Sequence, residues 1–262
     1  AICGAVSRVG ADLGVIFDTD CDRAAVVDYD GSEINRNRLI ALISAILLEE
    51  KPGQTIVTDS VTSSGLKTFI NAWGGEHYRY KRGYRNVINE SIRLNNAGQD
   101  SQLAIETSGH GALKENYFLD DGAYLVTKLL IELARGKKEG YTLESLIASL
   151  EEPAESVEFR MNILLEDFKT YGQAVIDDLT AYAATKEGWS LAPSNFEGVR
   201  VNMDEAHGNG WFLLRLSLHD PLLPLNIESN DVGGAKKIAQ ELASFIAGYD
   251  KLDAQKLMDF VK

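Results

Sequence analysis

Apolar residues follow two rhythms along this chain, short unbroken runs and the three-to-four spacing of a helix face, and the two alternate. Leu13 to Phe17 is one short run, ending in acidic residues, and Ala24 to Asp28 is a second, followed by the turn-like Tyr29-Asp-Gly31. They predict two strands flanking an acidic loop. From Arg36 to Glu50, the residues Leu39, Leu42, Ile43, Ile46 and Leu47 keep helical spacing until Pro52-Gly53 stops it. Thr55 to Thr58 reads as a strand, Ser63 to Trp73 as a helix closed by Gly74-Gly75, and Leu103 to Ile105 as a buried strand. A helix is expected from Gly122 to Arg135, with Val126, Leu129, Leu130 and Leu133 on one face.

This alternation between residues 33 and 138 predicts an α/β domain, a parallel or mixed sheet covered by helices. Composition shifts at Glu151-Glu-Pro153, and shorter strand candidates follow at Gly198–Val201 and Gly210–Arg215. Ala235 to Ala247 carries Ile238, Leu242, Phe245 and Ile246 in helical register, with Gly248 placed to end it. A smaller α+β domain is expected there. No internal repeat stands out.

Composition narrows the partners. With 262 residues, 45% hydrophobic and 25% charged, the chain can fill one large core or two ordinary ones. A formal charge of −13 argues against nucleic acid or an anionic membrane, whose phosphates must be met by clustered Lys and Arg. Small molecules or proteins are the expected partners. The two cysteines, Cys3 and Cys21, are too few for a disulfide framework and lack zinc-site spacing, so a reducing compartment is the default and a cytoplasmic location is expected. No apolar run approaches the roughly 20 residues that span a bilayer, and the amino end lacks a signal-peptide layout, so a soluble chain is expected. Its first residues, Ala1-Ile-Cys-Gly-Ala5, contain no initiator Met, so upstream sequence is expected as well.

Asp18-Thr-Asp-Cys-Asp-Arg23 sets a carboxylate at every second position after a strand expected to be buried, where the side chains can converge on one hard cation; oxygen-only ligation suits Mg²⁺. Arg23 beside them could meet a phosphate. An EF-hand also opens D-x-D-x-D but needs Gly sixth and Glu twelfth, where this chain has Arg23 and Tyr29. A haloacid-dehalogenase-type phosphatase loop and a solvated acidic turn are the remaining alternatives. Glu106-Thr-Ser-Gly-His-Gly111 follows the strand at 103–105, where ligand loops sit in open α/β sheets. Its carboxylate, hydroxyl and imidazole offer directional hydrogen bonds to sugar hydroxyls, against a plain turn with a capping Ser. His77-Tyr-Arg-Tyr-Lys-Arg-Gly-Tyr-Arg85 concentrates basic residues in an acidic chain. It suits a phosphorylated sugar with Tyr stacking, an acidic partner, or an exposed basic face.

Together, D-x-D-x-D-R between two strands and E-x-S-G-H after a buried one resemble the metal and sugar loops of the α-D-phosphohexomutases, the phosphoglucomutase/phosphomannomutase superfamily. Lys114 to Gly122 is similar to the usual continuation of the sugar loop into a helix. The resemblance implies that Asp18, Asp20 and Asp22 hold one Mg²⁺, that Arg23 steadies the transferring phosphoryl group, and that Glu106 and Ser108 grip sugar hydroxyls beside His110. Lys81, Arg82, Gly83 and Tyr84 stand where relatives carry a lysine and a Thr-Gly-His-like turn. Arg215-Leu-Ser-Leu-His-Asp-Pro221 partly matches the phosphate loop R-x-S-G-T-E-P, with Arg215 and Ser217 retained and Leu218 and His219 in place of Gly-Thr. Arg215 could equally pair with a surface carboxylate. Leu222-Leu-Pro224 stands where relatives often have basic residues.

Family members have four domains, so residues 1–32 would end the second, 33–152 form the third and 153–262 the fourth. The implied reaction moves a phosphoryl group between the 1- and 6-positions of a hexose or hexosamine phosphate through a phosphoserine and a bisphosphorylated hexose. That serine belongs to a first domain whose T-A-S-H-N-P-like segment is not in these residues. Its partners would be the sugar phosphate and the remaining domains. Alone the chain should be inactive. A non-catalytic sugar-phosphate sensor is the alternative, motivated by the altered residues 215–221.

Overall fold

The chain divides into two units, residues 1–151 and 152–262; the computed structural model describes residues 2–217 and 220–262. The first unit opens with α1 (Ile2–Val9) and an antiparallel sheet of β1 (Leu13–Phe17), β2 (Ala24–Asp28) and β3 (Glu33–Ile34) in that order. Phe17 pairs with Ala24, so residues 18–23 form the loop of a hairpin. β2 is buried along nearly its whole length. β1 is not the buried strand its apolar run suggests, because Ile16 is 48% and Phe17 38% exposed. It lies at the edge of its sheet, and its two exposed residues are the last before the hairpin loop, on opposite faces, whereas Gly14 further back is packed against Val6 and Ile2 of α1.

α2 (Asn37–Glu50) is buried without interruption from Leu39 to Leu48. A helix apolar all round is an interior element, so its periodic stripe understates its burial. It packs against a second sheet built from β4 (Thr55–Thr58), β5 (Glu76–Arg79), β6 (Ser101–Ile105) and β7 (Gly111–Leu113), with α3 (Ser64–Ala72) and α4 (Tyr84–Asn96) between them. Strand order is β5-β4-β6-β7; β4 runs parallel to β5 and β6, and β7 antiparallel to β6. The expected mixed sheet is thus present. Because β4, β5 and β6 point the same way, the loops that follow them leave from one edge. The Ser63 hydroxyl caps α3 by accepting from Leu66 N–H at 3.2 Å.

α5 (Gly122–Glu139) is capped by Asp121, which accepts the Tyr124 N–H at 2.9 Å, and Gly140 ends it at φ 89°. Its buried face runs through Leu125, Val126, Leu129, Glu132 and Gly136. Leu130, assigned to that face from its spacing, is 49% exposed, since it sits about 100° around the helix from Leu129. The short α6 (Leu143–Leu146) closes the unit. Neither β5 nor α4 was expected from the apolar pattern. α4 buries Glu90 and Ser91 beside Val87 and Leu94, with Ser91 Oγ 2.6 Å from Ser101 Oγ and Arg93 Nε donating to Glu90 at 2.9 Å. Paired polar groups fill interior positions where a hydrophobic search finds nothing.

The second unit is a six-stranded antiparallel sheet of β8 (Glu155–Ile163), β9 (Trp189–Leu191), β10 (Val199–Met203), β11 (Gly210–Leu214), β12 (Leu222–Ser229) and β13 (Leu252–Asp253) in the order β13-β8-β12-β11-β10-β9. Three helices, α7 (Phe168–Ala183), α8 (Gly234–Ile246) and α9 (Gln255–Val261), bury Met161, Val201, Phe212, Leu223, Leu225 and Ile227 on one face. The α+β class agrees with expectation. α8 ends without the glycine cap foreseen at Gly248. Ala247 closes it in right-handed geometry, and Gly248 N–H donates to the Phe245 carbonyl at 3.1 Å.

Gly65, in the first turn of α3, tests how tightly the end of the first unit is held. A Cβ there would lie 1.9 Å from the Glu151 carbonyl oxygen. Alanine is worth ~1 kcal/mol over glycine in an open helix, whereas overpacking against backbone costs about 1–3 kcal/mol. Gly65→Ala should therefore lower the unfolding midpoint, as read by thermal denaturation.

Candidate active site

The loop after β4 begins with Asp59, fully buried, which accepts from the Thr107 hydroxyl at 2.7 Å. The loop after β5 brings Arg82 within 3.9 Å of the Asp59 carboxylate, and Gly83, at φ 112°, donates its N–H to Glu106 Oε1 at 2.6 Å. Glu106 opens the loop after β6 and is 4% exposed. Burial, reinforced by the nearby Asp59 charge, pushes its carboxyl up to about 7 despite that backbone donor. Ser108 Oγ reaches its other oxygen at 3.5 Å. Lys81 is exposed, and Arg79 is tied inward by hydrogen bonds to Thr62 Oγ1 and the Ser63 carbonyl. The basic segment therefore does not act as one exposed patch.

The acidic hairpin docks on this loop through backbone. Arg23 and His110 form an antiparallel bridge, and Gly122 N–H donates to the Cys21 carbonyl at 3.1 Å. Two glycines permit the approach. At Gly109, φ 99°, a Cβ would sit 2.9 Å from the Ala24 carbonyl oxygen, and at Gly122 one would sit 2.8 Å from the Arg23 carbonyl carbon. Cys21 takes left-handed φ 62°, which turns the loop so that one carboxylate oxygen each of Asp18, Asp20 and Asp22 lies within 4.8 Å of the others. A hairpin loop excludes the helix-flanked EF-hand.

The acidic side chains differ in surroundings. Asp18 accepts from Arg23 Nε at 2.6 Å and from its backbone N–H at 3.2 Å. Burial pushes the Asp18 carboxyl up, but the Arg23 hydrogen bonds and charge outweigh it and hold the group below the usual range. Burial raises Asp22, and the Asp22 Oδ1 atom is enclosed without a hydrogen-bond partner. An enclosed, unsatisfied anionic oxygen facing two further carboxylates fits a hard cation. A cleft of about 250 Å³ beside them is lined by Ile16, Phe17, Asp18, Arg23 and Ser108 among others.

His110 links the two loops. Its Nδ1 lies 2.8 Å from Asp120 Oδ2 and 3.6 Å from Asp22 Oδ2, and its ring stacks on Tyr84 with centroids 5.1 Å apart. The hydrogen bond to Asp120 raises its pKa above that of an ordinary histidine, against the pull of burial. Asp59 and Asp120 were not singled out from the sequence. Their signals were an acidic residue straight after a predicted strand and a paired Asp before a predicted helix.

The remaining expected residues lie in the second unit. Arg215 Nη1 is 3.8 Å from Glu197 Oε1, both largely covered, and Ser217 Oγ accepts from Asp220 N–H at 3.2 Å. Leu218 and His219, the replacements for Gly-Thr, fall outside the described residues. Leu222 to Pro224 begin β12, with Pro224 opposite Arg160.

Comparison with known proteins gives a consistent result. Residues 35–153 match the family model described as phosphoglucomutase/phosphomannomutase, alpha/beta/alpha domain III. A phosphomannomutase/phosphoglucomutase of Pseudomonas putida is 31% identical over 235 residues, 89% of this chain and 46% of the relative. A phosphoglucomutase of Neisseria meningitidis is 28% identical, over 94% of this chain and 50% of its own length. The crystal structure of a phosphoglucomutase/phosphomannomutase family protein from Burkholderia thailandensis superposes with a TM-score of 0.75 at 26% identity, covering 94% of this chain and 48% of that one. This chain thus spans about half the length of the relatives it matches.

Glu106 supplies a pH-dependent test. A carboxyl whose pKa rises from 4.5 to about 7 on folding carries no penalty below pH 4.5 and the full penalty above 7. At pH 8 that penalty is on the order of 3 kcal/mol. Glu106→Gln keeps an acceptor for Gly83 and removes the charge. Its unfolding midpoint relative to wild type should be higher at pH 8 than at pH 4.5, as followed by thermal melts at both values.

Proposed function

This chain belongs to the α-D-phosphohexomutase superfamily, and we propose that it is the sugar- and metal-binding part of a longer phosphohexomutase. The carrying observation is the backbone docking of the acidic hairpin onto the loop 106–110, which puts three carboxylates beside groups suited to a sugar ring. In this reading residues 1–32 end a second domain, 33–152 form the third and 153–262 the fourth. The substrate is a hexose or hexosamine phosphate, isomerised between its 1- and 6-phosphates by way of a bisphosphorylated hexose.

Asp18, Asp20 and Asp22 would hold one Mg²⁺, which supplies charge neutralisation at the phosphoryl group. Arg23 spends its Nε on Asp18 and keeps its terminal nitrogens for phosphate oxygens, a fork suited to them. Glu106 and Ser108 take sugar hydroxyls; near neutral pH Glu106 can donate or accept. His110 stands between this pair and Asp22, with Lys81, Arg82 and Gly83 along the β5 side. Arg215 and Ser217 are assigned the distal phosphate. The serine that exchanges the phosphoryl group lies on a domain outside these residues, so the 262-residue chain binds without turnover.

The test is isomerisation by the longer protein of glucose 1-phosphate, mannose 1-phosphate or glucosamine 6-phosphate with Mg²⁺ and a bisphosphate primer. Turnover of at least one is expected. Asp22→Asn should lower it by more than the roughly 10- to 100-fold that loss of an outer partner costs a metal site, and should weaken Mn²⁺ binding measured calorimetrically on the same protein. The replacement of Gly-Thr by Leu218 and His219 favours one other reading, a sugar-phosphate sensor, which predicts binding of these phosphates with no turnover.

A further inference from the structure

Tyr84 occupies a position where a sugar-stacking role would need an open ring face, yet one face is already taken. Its ring lies 5.1 Å from the His110 imidazole at an interplanar angle of 22°, an offset stack. The phenol is itself held: Arg85 Nε donates to Tyr84 Oη at 3.0 Å, and the Arg85 guanidinium sits 5.6 Å from the ring centroid. Gly83, with its N–H on Glu106 Oε1, fixes the backbone from which Tyr84 starts α4.

On the other side His110 is constrained through Nδ1 by Asp120, and Asp120 Oδ1 accepts the Gly111 N–H at 3.2 Å. The His110 main chain is fixed by the bridge to Arg23 and by its carbonyl, which accepts from Glu106 N–H at 2.9 Å. Rotation about the Cβ–Cγ bond is the motion these contacts leave to be restrained. A single hydrogen bond at Nδ1 still permits the ring to tilt, whereas a stacked ring fixes its plane. Nε2 makes no hydrogen bond among the described residues and is the nitrogen left to work.

We propose that Tyr84 is a positioning residue that sets the plane of the His110 imidazole, so that Nε2 is presented to the bound sugar phosphate, and that it does not itself stack on the sugar. The inference rests on the phosphohexomutase reading for its kinetic consequence, but the stack can be judged without it.

The experiment compares Tyr84→Leu and Tyr84→Phe. In the longer protein, Tyr84→Leu should lower kcat about tenfold or more, as small misplacements of reacting groups do, while KM and the Mg²⁺ requirement stay put. Tyr84→Phe, which keeps the ring and loses the hydroxyl, should restore kcat. A rise in KM with kcat intact would overturn the proposal, because it would put Tyr84 on the sugar. In parallel, NMR of the 262-residue chain reads the ring protons of His110, assigned through His110→Gln. They should be shielded by the tyrosine ring, lose that shielding in Tyr84→Leu and keep it in Tyr84→Phe; signals unmoved by Tyr84→Leu would also overturn the proposal. Absence of mutase activity on every substrate would count against the phosphohexomutase reading, and the NMR comparison would then decide the stack by itself.

Discussion

Two loops from different sheets of the first unit meet at the backbone level, and the candidate site depends on that contact. A bridge between Arg23 and His110 and a hydrogen bond from Gly122 to Cys21 need main chains closer than any side chain would allow. Gly109 and Gly122 remove the obstructing Cβ atoms. With the contact made, the carboxylates of the hairpin loop, the imidazole of His110 and the carboxyl of Glu106 belong to one surface. Without it they would sit on separate elements with no fixed relation.

The parallel strands supply the other half of the arrangement. β4, β5 and β6 release their loops at one edge, so Asp59, Arg82, Gly83 and Glu106 converge although they are far apart in sequence. Convergence has an electrostatic cost. Burial first, and the charge of the buried Asp59 second, leave a Glu106 that ionises only near neutrality. Perturbed groups of this kind cluster where a protein handles polar ligands, because the same burial that disfavours charge strengthens each hydrogen bond to a substrate.

Much of the fold was legible because it was written in apolar periodicity. The strands at 13–17, 24–28 and 55–58 and the helices around 37–50, 64–72 and 234–246 follow that signal closely. The signal failed where burial is polar or interrupted. α4 hides Glu90 and Ser91 behind partners, and β12 contains Pro224, a residue that ordinarily argues against a central strand; β8, by contrast, carries a plain strand alternation in Val157, Phe159, Met161 and Ile163 that a search for unbroken apolar runs passes over. Leu130 and Ile16 erred the other way, being apolar and exposed, which is common because folded surfaces are largely apolar.

By itself the sequence determined the chemical inventory: an acidic loop with carboxylates at alternate positions, a carboxyl-hydroxyl-imidazole loop after a strand, and an α/β unit followed by an α+β unit. Those features are local, set by residue type and spacing over a few positions. Tertiary structure alone decided which groups meet. That Asp59 and Asp120 join the site, that Arg79 turns inward while Lys81 stays exposed, and that the Tyr84 ring lies on His110 follow from strand order and loop contact. The physical reason is that local propensity fixes the direction of each element, whereas the distance between residues far apart in sequence is fixed only when the elements pack.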